Sequence, residues 1–169
     1  MRSGRVPFGQ ASLRHGRLVL VHLPDKEKIL EMLVVALKPG GWLIDEELDS
    51  LSLPPDPVVS PGEILLKTHV AMARLMSDRG FERRCGRLLF ERLRERGLVS
   101  VGAEARMFMV QSESPGAALV RANYEQLRGD MIDAGYITKQ EFEEDLARLD
   151  CPDFMMPSSI LWSAWGQRP

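Results

Sequence analysis

The sequence predicts an α/β protein, an incomplete sandwich of about four strands and five helices, and three observations carry that expectation. The stretch Leu18–Asp49 runs from an apolar turn through an amphipathic helix and a Lys-Pro-Gly-Gly corner into a strand. Ser60-Pro61, Ser114-Pro115 and Thr138 with Glu141 each carry a helix-opening signal further on. The closing segment Ser158–Trp165 is apolar, short and strand-like.

Taken in order, Ala11-Ser12-Leu13-Arg14 lacks the apolar run of a buried parallel strand, Arg14 standing where such a strand calls for Val or Ile. Leu18–Leu23 is apolar apart from His22, and Pro24-Asp25 stops it and supplies an N-cap. Ile29, Met32, Leu33, Ala36 and Leu37 then form one buried helical stripe, with Lys26, Glu27, Lys28 and Glu31 on the wet side. Pro39 ends the helix, Gly40-Gly41 permits a tight corner, and Trp42-Leu43-Ile44 is the strand, with Asp45, Glu46, Glu47 and Asp49 just past it. The four prolines of Leu51–Pro61 make that stretch a loop. Beyond Pro61, Leu65, His69, Met72 and Met76 stripe a helix that stops at Gly80; Phe81, Cys85, Leu88, Leu89 and Leu93 stripe another that stops at Gly97. Val99–Val101 and Arg106–Val110 resume the sheet. Val120, Tyr124, Leu127, Met131 and Ala134 form a stripe ending at Gly135, and Phe142, Leu146 and Leu149 point inward from the last helix.

Two of these segments together, His15–Pro24 (HGRLVLVHLP) and Leu37–Ile44 (LKPGGWLI), resemble the class I S-adenosylmethionine-dependent methyltransferases at the exit of their fourth strand and the start of their fifth. The resemblance continues through Gly86-Arg87-Leu88-Leu89 with Gly97-Leu98-Val99, and through Trp162-Ser163-Ala164-Trp165-Gly166, and so covers nearly the whole chain. It implies a Rossmann-like three-layer sandwich with a mixed sheet, the last strand antiparallel between its neighbours. It also implies a single domain over 1–169 with a helical cap insertion at 51–97, the cofactor S-adenosylmethionine, and methyl transfer to a small-molecule acceptor. The family grips the cofactor chiefly through a glycine-rich loop after its first strand and an acidic residue after its second. Both would lie ahead of Met1, since Gly4, Gly9 and Gly16 make no GxGxxG and no acidic residue precedes Asp25. The resemblance therefore implies a truncated chain, the carboxyl-terminal half without the cofactor-binding half. A sheet so cut would expose an edge at its first strand, an invitation to pair with another chain or a second copy.

Candidate site residues follow from the same resemblance. His15, Gly16, Arg17 and His22 lie on the strand-exit segment and are the candidate cofactor-binding residues. Glu46 and Glu47 fall where carboxylates would steer a substrate amine or sulfonium, and His69 sits on a methionine-lined stripe suited to a substrate-facing cap. Each has a plainer reading: a chain turn for 15–17, a hydrogen-bonded structural imidazole for His22, a solvated strand end for the glutamates, and core packing for His69. No catalytic residue is assigned, because in methyl transfer the cofactor carries the activated methyl and the protein supplies positioning.

Composition excludes several classes. The 169 residues are 44% hydrophobic and 27% charged with a formal net charge of -2, values of one globular domain without a membrane span or a global pull toward nucleic acid. Arg79, Arg83, Arg84, Arg87, Arg92, Arg94 and Arg96 make a basic cluster, but Glu82, Glu91 and Glu95 interleave it and stacking aromatics are missing, so it reads as a salt-bridged face. Two cysteines in unrelated contexts suit reduced thiols, and Arg2 and Arg5 are followed by Pro7 and Gly9 rather than an apolar signal core, which points to the cytoplasm. Three scattered histidines give no zinc site, and Gly97–Gly102 lacks the lysine of a phosphate loop, Ala103 standing in its place. Three functional readings result: a methyltransferase, an inactive interaction module pairing through the sheet edge, and a polyanion binder on the arginine helix.

Overall fold

The computed structural model describes residues 9–50 and 66–169. It is a mixed α/β fold whose described residues form two compact units, one of 9–50, Phe81–Arg106 and Ile160–Pro169, the other of 66–80 and Met107–Ser159. The Ser60-Pro61 helix start and the proline-rich loop lie outside the described residues.

The first unit holds strands β1 (Ala11–Arg17), β2 (Leu37–Asp49), β3 (Val99–Arg106) and β6 (Ile160–Gln167) in the order β1-β2-β6-β3. β1 runs parallel to β2, whereas β6 is antiparallel to both β2 and β3. The sheet is thus mixed, with the last strand inserted antiparallel between its neighbours, as expected. A 3-10 turn (Leu20–His22) and helix α1 (Lys26–Val35) connect β1 to β2, and helix α3 (Cys85–Glu95) precedes β3. Leu30, Cys85, Leu89 and Leu93 pack with Leu43, Leu37, Ala164 and Leu98 in one core cluster, so both helices bury their apolar stripes against the sheet.

Three expectations are corrected in this unit. The Lys38–Gly41 stretch is not a free corner: it belongs to β2, and the register with β1 shifts there, with Ala11 opposite Leu37 but Leu13 opposite Trp42. Gly40 takes φ 75°, the left-handed conformation that glycine adopts without cost, and its amide donates to the Arg168 carbonyl at 2.8 Å. The carboxylates are not past the strand either, since β2 runs on through Asp49 and buries Asp45, Glu47 and Asp49. Finally, the described part of the expected 51–97 cap divides at Gly80, with α3 in the sheet unit. Gly86 explains this placement: it has no side chain to keep α3 away from the Glu47 carbonyl and the Trp162 ring.

The second unit packs α2 (Lys67–Asp78), α4 (Pro115–Asp133) and α5 (Lys139–Leu149) around Leu75, Tyr124, Met131, Phe142, Leu146 and Leu149, with a ribbon of β4 (Met109–Gln111) and β5 (Met155–Pro157). Ser114 Oγ accepts the Ala117 amide and Pro115 opens α4. Thr138 and Glu141 form the expected capping box. The α2 stripe has the expected period but another phase. Thr68, Ala71 and Leu75 are its buried positions, one residue before His69, Met72 and Met76, because small side chains let the helix approach its neighbours. The Arg106–Val110 segment also splits: β3 ends at Arg106, and β4 pairs with β5 in a two-stranded sheet of its own.

Candidate functional site

The end of β1 and the middle of β2 build the candidate site. Side chains alternate along β2, so Asp45, Glu47 and Asp49 share one face with Leu43, the face that α3 covers, while Ile44, Glu46 and Leu48 share the other. Gly16 stands opposite Asp45 on β1, and Arg17 opposite Glu46.

Leu18 leaves β1 with φ 54°, a left-handed conformation that a side chain makes costly, and its amide still donates to the Glu46 carbonyl at 2.8 Å. The turn it makes aims the next two amides at Glu47: Val19 N–H and Leu20 N–H donate to Oε1 at 2.9 and 2.7 Å. Glu47 therefore holds the amino end of the 3-10 turn. Burial raises its carboxyl above the usual range, while the amides of Leu20, Val19 and Val21, and then Lys26, pull it back. The solvated strand end expected here does not exist for Glu47, which is fully enclosed. His22, at the end of the turn, lies edge-on to Phe81 with ring centroids 5.2 Å apart.

On the opposite face Glu46 gathers a polar cluster. His15 Nε2 lies 3.0 Å from Glu46 Oε2, Arg17 Nη1 lies 3.8 Å from the same oxygen, and Ser163 Oγ donates to Oε1 at 2.8 Å. The Ser163 hydroxyl, and after it His15, holds the Glu46 carboxyl below its usual range. His15 and Arg17 are half exposed. His69 belongs to the other unit, where its Nδ1 lies 3.2 Å from the hydroxyl of buried Tyr124. Burial, with Asp145 adding to it, pushes the Tyr124 phenol up. Asp145 in turn accepts the Thr68 amide at 2.7 Å and ties the start of α2 to α5.

The structure thus brings His15, Arg17 and Glu46 together, places Gly16 and Glu47 on the reverse face, and gives His69 a separate setting. Sequence reasoning passed over Asp45, Asp49 and Cys85. Asp49 pairs with Arg87, and burial with Glu47 beside it pushes the Cys85 thiol up to about 12. Carboxylates recurring at every second position of 45–49 were the signal that one face of a strand carries them. The arginine cluster is ion-paired, though chiefly across elements rather than along α3: Arg92 binds Glu27 and Glu82, Arg96 binds Glu27, and Arg79 binds Asp130.

Among the described residues no group of three His, Cys, Asp or Glu side chains is arranged to hold a metal ion, and no helix is long and apolar enough to cross a membrane. The described residues do not by themselves fit S-adenosylmethionine. His15 and Arg17 turn to Glu46, His22 turns to Phe81, and a Cβ at Gly16 would collide with Asp45 Oδ1. In the second unit an open groove of about 580 Å³ is lined by Arg121, Arg128, Phe142, Glu143, Leu146 and Asp150, none of them a candidate residue.

Against known proteins, no family model matches the chain. It is 44% identical over 45 residues to Methyltransferase str2 of Strobilurus tenacellus, a stretch that makes up 25% of this chain and 16% of that protein. Among solved structures it is similar to phosphoethanolamine N-methyltransferase 2 of Haemonchus contortus in complex with S-adenosylhomocysteine, at 13% identity and a TM-score of 0.47, covering 94% of this chain and 33% of that one. A candidate methyltransferase of Bacillus halodurans C-125 aligns at 12% identity and a TM-score of 0.47, over 96% of this chain and 73% of that one. The chain therefore spans only a fraction of the first of these proteins, and its resemblance to the curated one is methyltransferase-like over a quarter of its length.

Proposed function

We propose that this chain is the carboxyl-terminal, sheet-bearing part of an S-adenosylmethionine-dependent methyltransferase acting on a small molecule. The observation that carries the reading is the 45-residue match to Methyltransferase str2. The parallel β1–β2 pair followed by an antiparallel β6 agrees with the strand arrangement that the sequence resemblance implies. In this reading the β1 exit, residues His15–His22, supplies one wall of the cofactor site, and the remaining walls come from elsewhere. A single wall gives weak binding, because most of the contacts that offset lost ligand freedom are missing. Titrating S-adenosylhomocysteine into the chain and following backbone amides by NMR tests this. The expected result is a dissociation constant of about 1 mM or weaker, with shifts confined to 15–22 and the facing part of β2. No shift there at several times that concentration overturns the cofactor assignment, and micromolar affinity overturns the single-wall reading.

A second reading rests on the edge position of β1, which among the described residues pairs with β2 alone and leaves Leu13 58% exposed. Its unpaired amides and carbonyls invite a strand from a second copy. Sedimentation of the chain at rising concentration is expected to show a dimer that Leu13→Pro, which removes one edge donor, abolishes. A monomer throughout removes this reading.

A further inference from the structure

We propose that the sheet unit contains a built-in proton site: Asp45, two residues from Glu47 on the enclosed face of β2, holds a proton, and its loss loosens the turn that leaves β1. This inference stands independently of the methyltransferase reading.

Three carboxylates share that face and only one is neutralised by an ion pair, Asp49 with Arg87. Glu47 has Oε1 occupied by two amides, but its Oε2 is buried without a partner. Asp45 is fully buried and neither of its oxygens has a hydrogen-bond partner.

The charge of Lys26 reaches Glu47, but no described cation is paired with Asp45 or with Glu47 Oε2. On β1, Arg14 shares the face of Gly16 but donates to the Ala36 and Gly9 carbonyls, while His15 and Arg17 turn to the other face and to Glu46, which faces away on β2 itself. On β6 every residue from Ile160 to Gln167 is uncharged; the nearest in register are Ala164 opposite Asp45 and Trp162 opposite Glu47. On α3, Arg87 is committed to Asp49 and Arg92 to Glu82 and Glu27, and Cys85 is a neutral thiol. At the start of α1, Lys26 lies 3.8 Å from Glu82, and His22 of the 3-10 turn lies against Phe81. Space is equally short, because Gly16 approaches Asp45 Oδ1 so closely that a methyl group would not fit between them. A bare carboxylate pair so enclosed is untenable, and a proton is the ligand small enough to reach it. Burial first, then the charges of Glu47 and Glu46, raise Asp45 to about 7.

The site is mechanically placed. Asp45 bears on Gly16, Glu47 holds the Val19 and Leu20 amides, and the strained residue Leu18 links the two. When the proton leaves, the negative charge is relieved by opening this turn to water. The sign follows from linkage. With an open-state carboxyl near its ordinary value of 3.8 and a closed-state value of about 7, closure is favoured fully at low pH, weakens as pH rises between those values, and is flat above.

Hydrogen exchange at the Val19 and Leu20 amides, corrected for intrinsic rates, reads this directly. The opening constant is expected to rise about tenfold per pH unit through that window and then level off, with Asp45→Asn abolishing the rise. Carboxyl ¹³C titration of the unaltered chain decides the matter without any variant. A titration of Asp45 near its ordinary value overturns the proposal, as does an unchanged exchange profile in Asp45→Asn or, should that variant not fold, in Glu47→Gln.

Discussion

Gly86→Ala is expected to destabilise the sheet unit by about 2–4 kcal/mol, although alanine is intrinsically the better helix former by about 1 kcal/mol. The reason lies in what the new methyl group would meet. It would overlap the Glu47 carbonyl, lie 2.9 Å from Trp162 Cδ1 and sit 3.1 Å from the Glu47 carbonyl carbon. Two of these are backbone atoms of a central strand, which do not swing aside as the tip of a lysine would. α3 would have to lift, and with it Cys85, Leu89 and Leu93, all buried in the core. Gly129 on α4 is the internal control, since a Cβ there meets nothing within 4 Å; Gly129→Ala should gain about 0.5–1 kcal/mol. Thermal unfolding followed by far-ultraviolet circular dichroism, which reads the helices of both units, separates the two. The loss at Gly86 corresponds to roughly 2–4 °C per kcal/mol for a chain of this size. A Gly86→Ala protein as stable as its parent would mean that α3 does not seat on β2 through this residue.

Asp45→Val is expected to act in the opposite direction and to raise the stability of the sheet unit at pH 8 by up to about 4 kcal/mol. That ceiling is the rise of the carboxyl from 3.8 to about 7, taken at about 1.4 kcal/mol per pH unit. Valine fits the same enclosed face beside Leu43 and supplies no charge to bury. The pH dependence distinguishes this cause from better packing. In the parent the group's contribution is present below 3.8, falls as pH rises, and is gone above about 7, so the advantage of the variant should grow across that interval. Glu46 titrates in the opposite sense, because its carboxyl is held low by Ser163 and His15, but it is common to both proteins and cancels in the difference. Urea unfolding of parent and variant at pH 5 and pH 8 measures it, and an equal gain at both pH values would exclude the charge as the cause.

These two positions also show where sequence reasoning reached and where it stopped. Local signals carried through: the Ser114 cap, the Thr138–Glu141 box and the Gly135 stop depend on residues within a turn of one another, and the structure has all of them where expected. The antiparallel place of β6 followed from resemblance. The apolar run Trp42–Ile44 marks only part of β2, because its buried face changes from Leu43 to three carboxylates without ceasing to be a strand. The phase of α2 was missed because Thr68 and Ala71 bury by being small, which a stripe of large side chains does not register. Glu47 was read as an outward-facing group. Its partners, the amides of Val19 and Leu20, lie 28 and 27 residues away and become visible only once Leu18 has turned the chain.

The two cysteines have a use that follows from their different surroundings. Cys85 is enclosed with a thiol that resists ionisation, while Cys151 is exposed, so a maleimide dye added near neutral pH attaches to the second unit at one position. Trp42, Trp162 and Trp165, the complete tryptophan complement, all belong to the first unit. The polypeptide therefore arrives with donor and acceptor positions already sorted between its two halves, and energy transfer from indole to dye can gauge their separation in solution without any engineered label site.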